Sequence, residues 1–118
     1  MRKFIEKKIS IVIPTLNEES NIIQLINEIN NELSDIDYEI IIVDDGSTDA
    51  TAKKILNEFK DNQSVKLIQR QHDKGLVQSI KFGLQSITGE YFVVMDGDRQ
   101  HSPSNIKTLL TMKSLVIH

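Results

Sequence analysis

The stretch VVMDGDRQHSP, Val93 to Pro103, decides the reading of this 118-residue chain. An apolar, β-branched run passes straight into two carboxylates one residue apart, Asp96 and Asp98, and then through Gln100 and His101 into Ser102-Pro103. The run suits a strand buried on both faces. Ser-Pro suits an N-cap followed by the first residue of a helix. Acids placed between a buried strand and a helix sit where open α/β sheets bind ligands, outside the carboxyl end of the strand.

Three similar runs precede it, at Ile9 to Ile13, Tyr38 to Val43 and Val65 to Ile68, and the fourth is Tyr91 to Met95. Helical spacing separates them: Ile22, Ile23, Ile26, Ile29 and Leu33; then Ala52, Ile55, Leu56 and Phe59; then Leu76, Ile80, Leu84 and Ile87. These stripes predict core-facing helices. Asn17 and Asp49 are placed to cap the first two helices, Gly89 to end the third, and Ser102-Pro103 opens a last one through Ile106, Leu109 and Leu110. The order β-α-β-α-β-α-β-α predicts right-handed crossovers and a Rossmann-like parallel α/β sheet with helices on both faces. With strand order 3-2-1-4, the loops Pro14 to Glu18, Asp44 to Ser47 and Asp96 to Asp98 open on one rim.

Composition narrows the function. Hydrophobic residues make up 39% and charged residues 26%, so the chain can build a core and is not of disordered type. Net charge is −3, with 14 basic against 17 acidic residues and no basic stripe, which argues against a nucleic-acid partner. Cysteine is absent, so a metal must take oxygen or imidazole ligands. The apolar start is broken by Glu6, Lys7 and Lys8 and reads as neither signal peptide nor membrane span. A cytoplasmic protein is expected, able to work at the cytoplasmic face of a membrane.

Asp44, Asp45, Asp96 and Asp98 would gather negative charge that a hard divalent cation, Mg²⁺ or Mn²⁺, could offset, with Gln100 adding a neutral oxygen. An Asp-x-Asp pair alone more often makes a turn or caps a helix; the joint placement at strand ends carries the metal reading. His101 beside that site reads as a positioning group, His72 as a solvated loop residue, and Arg70 and Lys74 as loop cations that are usually just solvated but that the Asp73-Lys74-Gly75 turn could bring close to a phosphate. Neither a Gly-x-Gly-x-x-Gly nor a P-loop motif occurs.

Taken in order, SIVIPTLNEESNI, EIIIVDDGSTDAT, RQHDKGLVQSIKFGL and GEYFVVMDGDRQHSP resemble the family 2 glycosyltransferases of GT-A fold, and most of all their polyprenyl-phosphate branch. The resemblance runs from Ile9 to about Leu110. It implies a nucleotide-sugar site at Pro14, Leu16, Glu18, Val43, Asp45, Asp96 and Gly97, with Asp96, Asp98 and Gln100 holding Mg²⁺ or Mn²⁺. It implies transfer of a sugar from a UDP- or GDP-linked donor to a polyprenyl phosphate or glycan acceptor, with peripheral membrane association. The branch usually reads Asp-Ala-Asp-Leu-Gln-His-Pro-Pro where this chain has Gly97, Arg99 and Ser102 in place of Ala, Leu and the first Pro. The family continues further, so residues 1–118 are expected to be one donor-binding α/β domain, with the acceptor half and any catalytic base beyond the chain. Two other readings stand beside it: a nucleotide-binding remnant without turnover, and a receiver-type phosphoacceptor domain built on the acidic pair of IIIVDDGS.

Overall fold

The structure, a computed structural model, describes residues 8–95. Its elements are β1 (Ile9–Thr15), α1 (Ile22–Glu32), β2 (Tyr38–Asp44), α2 (Thr51–Phe59), β3 (Val65–Gln69), α3 (Leu76–Leu84) and β4 (Tyr91–Val94). The strands form one sheet in the order β3-β2-β1-β4, every pair parallel. The expected order is therefore observed. It excludes the receiver reading, whose doubly wound sheet places β1 between β2 and β3, whereas here β1 lies between β2 and β4. The predicted final helix at Ser102-Pro103 lies outside the described residues.

Strand alternation sends the two halves of each apolar run to opposite faces. Ile9, Ile11, Ile13, Ile40 and Ile42 meet Ile22, Leu25, Ile26 and Ile29 of α1 and Ile55 and Phe59 of α2 in the larger core. Val12, Ile41 and Val43 form a smaller cluster on the other face, against Ile68, Leu84, Ile87 and Val94. All seven residues of β1 are buried, as are six of the seven in β2, while the edge strands β3 and β4 are mostly half-buried. Pro14 sits in a central strand, where its missing N–H is normally a fault. It falls beyond the last β1–β4 pair, Val12 with Val94, and so breaks no ladder bond among the described residues.

Two glycines let elements approach closely. A Cβ on Gly83 would lie 2.6 Å from Val12 Cγ1 and 3.0 Å from Val43 Cγ2, so α3 rests directly on β1 and β2 at this point. Gly89 does not end α3 as expected, because the helix stops at Leu84. It lies instead against the start of β1, where a Cβ would meet Ser10 Oγ at 2.6 Å and the Lys8 carbonyl at 2.9 Å. Ile87, the last residue of the third stripe, follows the helix yet still packs on the smaller cluster. Asn17 does not cap α1, which begins five residues later. Asp49 is not the N-cap of α2 either, since that position is Ala50, but from one residue earlier it accepts the Thr51 amide at 2.9 Å.

At the amino ends of the strands, Glu39 is 1% exposed and fully engaged. It accepts Ser10 Oγ at 2.6 Å, the Thr88 amide at 2.6 Å and Lys66 Nζ at 2.7 Å, with Lys8 at 3.8 Å. Burial alone would raise its pKa. The hydrogen bonds from Lys66, Ser10 and Thr88 outweigh that and lower it from 4.5 to about 2.

Two outcomes follow. Helical Gly→Ala usually stabilises by up to about 1 kcal/mol; Gly83→Ala should instead destabilise by about 1–3 kcal/mol through overpacking, measured by urea unfolding. A stabilising Gly83→Ala would show that α3 does not press on Val12. Because the folded pKa of Glu39 lies below its ordinary value, its contribution is complete above pH 4.5 and is lost as pH falls towards 2. Unfolding free energies across that window should fall more steeply for the wild type than for Glu39→Gln; parallel slopes would contradict the assignment.

Candidate functional site

The sheet brings two loops together at the carboxyl ends of its central strands. β1 runs into Leu16-Asn17-Glu18, and β2 into Asp45-Gly46-Ser47-Thr48-Asp49. The pairing extends past the regular ladder, since the Asp45 amide donates to the Thr15 carbonyl at 2.9 Å and the Arg70 amide to the Asp44 carbonyl at 2.8 Å. Between them lies an open cleft of about 180 Å³ lined by Pro14, Thr15, Leu16, Glu18, Asp45, Leu76 and Ser79.

The adjacent acids at the end of β2 are used differently. Asp44 is 2% exposed, and both its oxygens are taken up by Ser47: Oδ2 accepts the amide at 3.1 Å and Oδ1 accepts the hydroxyl. That carboxylate forms the turn; the cluster expected with Asp96 and Asp98 lies partly outside the described residues. Asp45 points to the cleft. Its Oδ2 accepts the Gly75 amide at 2.8 Å, at the start of α3, and its Oδ1 accepts Arg70 Nη1 at 3.3 Å. An anion at a helix N-terminus is favoured by the exposed amides and the helix dipole.

Arg70 is itself buried, with its guanidinium spread over several partners. Nη2 donates to the carbonyls of His72 at 3.1 Å and Asp73 at 2.8 Å, and the group lies 5.4 Å from the centre of the Phe82 ring. The expectation of Arg70 as a loop cation for phosphate is therefore not met: its charge belongs to Asp45 and the 70–75 turn. Lys74 is exposed, and its Nζ lies over Gly46, within 2.6 Å of where a Cβ would stand. His72 is exposed, as its solvated reading anticipates.

Of the residues expected at a nucleotide-sugar site, Pro14, Leu16, Glu18 and Asp45 line one cleft. Val43 does not line it. Its side chain is fully buried against Val12, Ile41 and α3, because strand alternation turns it to the smaller core. Asp96, Gly97, Asp98, Gln100 and His101 lie outside the described residues. Met95, the last described residue, still pairs with β1, its amide donating to the Val12 carbonyl at 2.9 Å. Among the described residues no group of three His, Asp or Glu side chains is placed to hold a metal ion.

Sequence reasoning missed Leu76 and Ser79; Thr15 falls inside the Pro14 to Glu18 segment expected at the site. Leu76 is 60% exposed at the mouth, and Ser79 is 1% exposed with its hydroxyl unpartnered among the described residues. The available signal was Gly75 before the third helix, since a tight entry there brings the first turn of α3 against the strand ends. Among the described residues no helix is long and apolar enough to cross a membrane.

Comparison with known proteins places this geometry. The family model described as glycosyl transferase family 2 matches residues 10–112. A dolichol-phosphate mannosyltransferase of Pyrococcus furiosus is 42% identical over 103 residues, covering 87% of this chain and 29% of that protein. An uncharacterized glycosyltransferase of Haemophilus influenzae is 32% identical over 103 residues, covering 87% and 32%. The chain thus spans about a third of the length of these relatives. Among solved structures, the Pyrobaculum calidifontis mannosyltransferase PcManGT, in complex with GDP-Man and Mn²⁺, superposes with a TM-score of 0.73 at 23% identity over 89% of this chain and 33% of its own; at that identity the likeness concerns the fold, GT-A. Staphylococcus aureus TarS 1-349 in complex with UDP-GlcNAc superposes with a TM-score of 0.70 at 27% identity, over 86% and 29%. With its family model spanning nearly all of the sequence and its sheet matching that of GT-A enzymes, the chain belongs to glycosyl transferase family 2.

Proposed function

We propose that this chain is the donor-binding domain of a glycosyltransferase that moves a sugar from a nucleoside-diphosphate sugar to a polyprenyl phosphate. The observation that carries the reading is the convergence of Pro14, Leu16, Glu18 and Asp45 on one cleft at the carboxyl ends of β1 and β2. Leu16, 53% exposed, offers an apolar surface to the face of a nucleobase. Asp45 accepts a base N–H or a ribose hydroxyl, with its position fixed from behind by Arg70 and Gly75. Glu18 accepts a ribose hydroxyl from the opposite lip. The UDP-GlcNAc complex of TarS supports a nucleotide sugar as ligand.

The metal proposal rests on donor chemistry. With Asp44 held by Ser47 and Asp45 assigned to the nucleoside, the hard oxygens of Asp96, Asp98 and Gln100, which follow β4 in the sequence, would hold Mg²⁺ or Mn²⁺. When bound, such an ion neutralises charge on the departing nucleoside diphosphate. A phosphate acceptor is already ionised and attacks without a protein base, which suits a polyprenyl phosphate; the dolichol-phosphate relative supports the same acceptor class. That acceptor would place the reaction at the cytoplasmic face of a membrane.

Titration calorimetry of the whole chain with UDP and GDP tests the donor site. Saturable binding of one nucleotide in the presence of Mn²⁺ is expected, weakened at least tenfold by Asp98→Ala and severalfold by Leu16→Ala, whose exposed side chain adds little to stability. Failure of both nucleotides to bind with Mn²⁺ present would overturn the proposal. Transfer of labelled sugar to polyprenyl phosphate would then separate an active enzyme from a binding module.

A further inference from the structure

We propose that Asn17 is a positioning residue, which locks the β1–α1 loop to the β2–α2 loop and so sets Leu16 and Glu18 at a fixed distance from Asp45 across the cleft. Its backbone adopts φ +53°, a left-handed conformation that few residues other than glycine tolerate and that asparagine tolerates best. In that conformation its side chain turns towards the neighbouring loop. Oδ1 accepts the Thr48 amide at 2.8 Å, the Asp49 amide at 3.2 Å and the Thr48 hydroxyl at 3.4 Å. The Asn17 amide donates to Ser47 Oγ at 2.8 Å.

Ser47 connects this clamp to the core. Its hydroxyl and amide both donate to Asp44, which is buried at the end of β2. A continuous chain of bonds therefore runs from the sheet through Asp44 and Ser47 to Asn17. The loop is fastened again just beyond, by the Glu18 amide on Thr51 Oγ1 at 2.9 Å and the Glu19 amide on Asp49 Oδ2 at 3.3 Å.

Asn17 is exposed and does not line the cleft, yet both its chain neighbours do. Burial does not explain its bonds, and the core clusters do not include it. What the bonds determine is the relative placement of two lips that must close on one ligand. Positions held in sparsely populated backbone conformations cluster at such ligand clamps.

The affinity part of this inference rests on the nucleotide-binding reading; the exchange part does not. Asn17→Gly keeps the backbone conformation and removes the acceptor, and Asn17→Asp keeps both. Amide hydrogen exchange on the whole chain should show Thr48 and Asp49 protected in the wild type and in Asn17→Asp, and exchanging at least tenfold faster in Asn17→Gly, with Ile26 and Ile41 unchanged. UDP or GDP, whichever binds, should lose about tenfold in affinity in Asn17→Gly and recover in Asn17→Asp, with the melting temperatures alike. Unprotected Thr48 and Asp49 amides in the wild type would overturn the clamp outright. So would Asn17→Gly behaving as wild type in exchange, or speeding core and loop amides equally. Wild type that binds no nucleotide while the exchange pattern holds would refute the donor-site reading and leave the clamp standing; normal affinity in Asn17→Gly despite lost protection would refute the positioning role.

Discussion

Strand β1 must bury both of its faces, and the rest of the molecule follows from that constraint. Ile9, Ile11 and Ile13 require α1 and α2 on one side, while Val12 requires α3 on the other. A strand covered in this way can be reached only at its ends. Parallel pairing with β2 carries Pro14 and Leu16 to the same rim as Asp45, so the cleft is a by-product of packing. The sheet's strand order reverses at β1, which is where open α/β folds place their ligands.

Charge is distributed so that the rim stays acidic without opposing the fold. Asp44 spends its charge on Ser47, and Asp45 shares its charge with a buried guanidinium and a helix-terminal amide. Arg70 in turn is satisfied by two carbonyls and an aromatic face, so removing Asp45 would leave a buried guanidinium without its counter-charge. The result is a carboxylate with a fixed direction, which is what selective hydrogen bonding to a ligand demands. Glu39 does the comparable work at the opposite end of the sheet, tying β1, β2, β3 and the segment before β4 together.

Most of the fold was legible because the four apolar runs are short, β-branched and separated by clear helical stripes. The strand order and the lining roles of Pro14, Leu16, Glu18 and Asp45 could be expected from the quoted motifs. What escaped depends on distance in sequence. Val43 and Asp45 lie two residues apart at the end of one strand, and only the packing of α3 shows that the first is core. Asp44 and Asp45 are chemically alike, and nothing local says which one Ser47 consumes. Asn17 resembles a helix cap until its partners, some 30 residues away, are seen. Leu76 and Ser79 reach the cleft because α3 crosses back over the sheet and rests on it through Gly83, a contact between residues about 70 and 40 positions apart.

The central claim is that the rim formed by β1, β2 and the start of α3 receives the nucleotide. Backbone amide spectra of the isotopically labelled chain, recorded as UDP or GDP is added with Mg²⁺, test it most directly. Shifts are expected to concentrate at Leu16, Glu18, Asp45 and Gly75 to Ser79, with Ser10, Glu39 and Thr88 unmoved. Shifts centred on those last three residues, or spread evenly over the sheet, would contradict it.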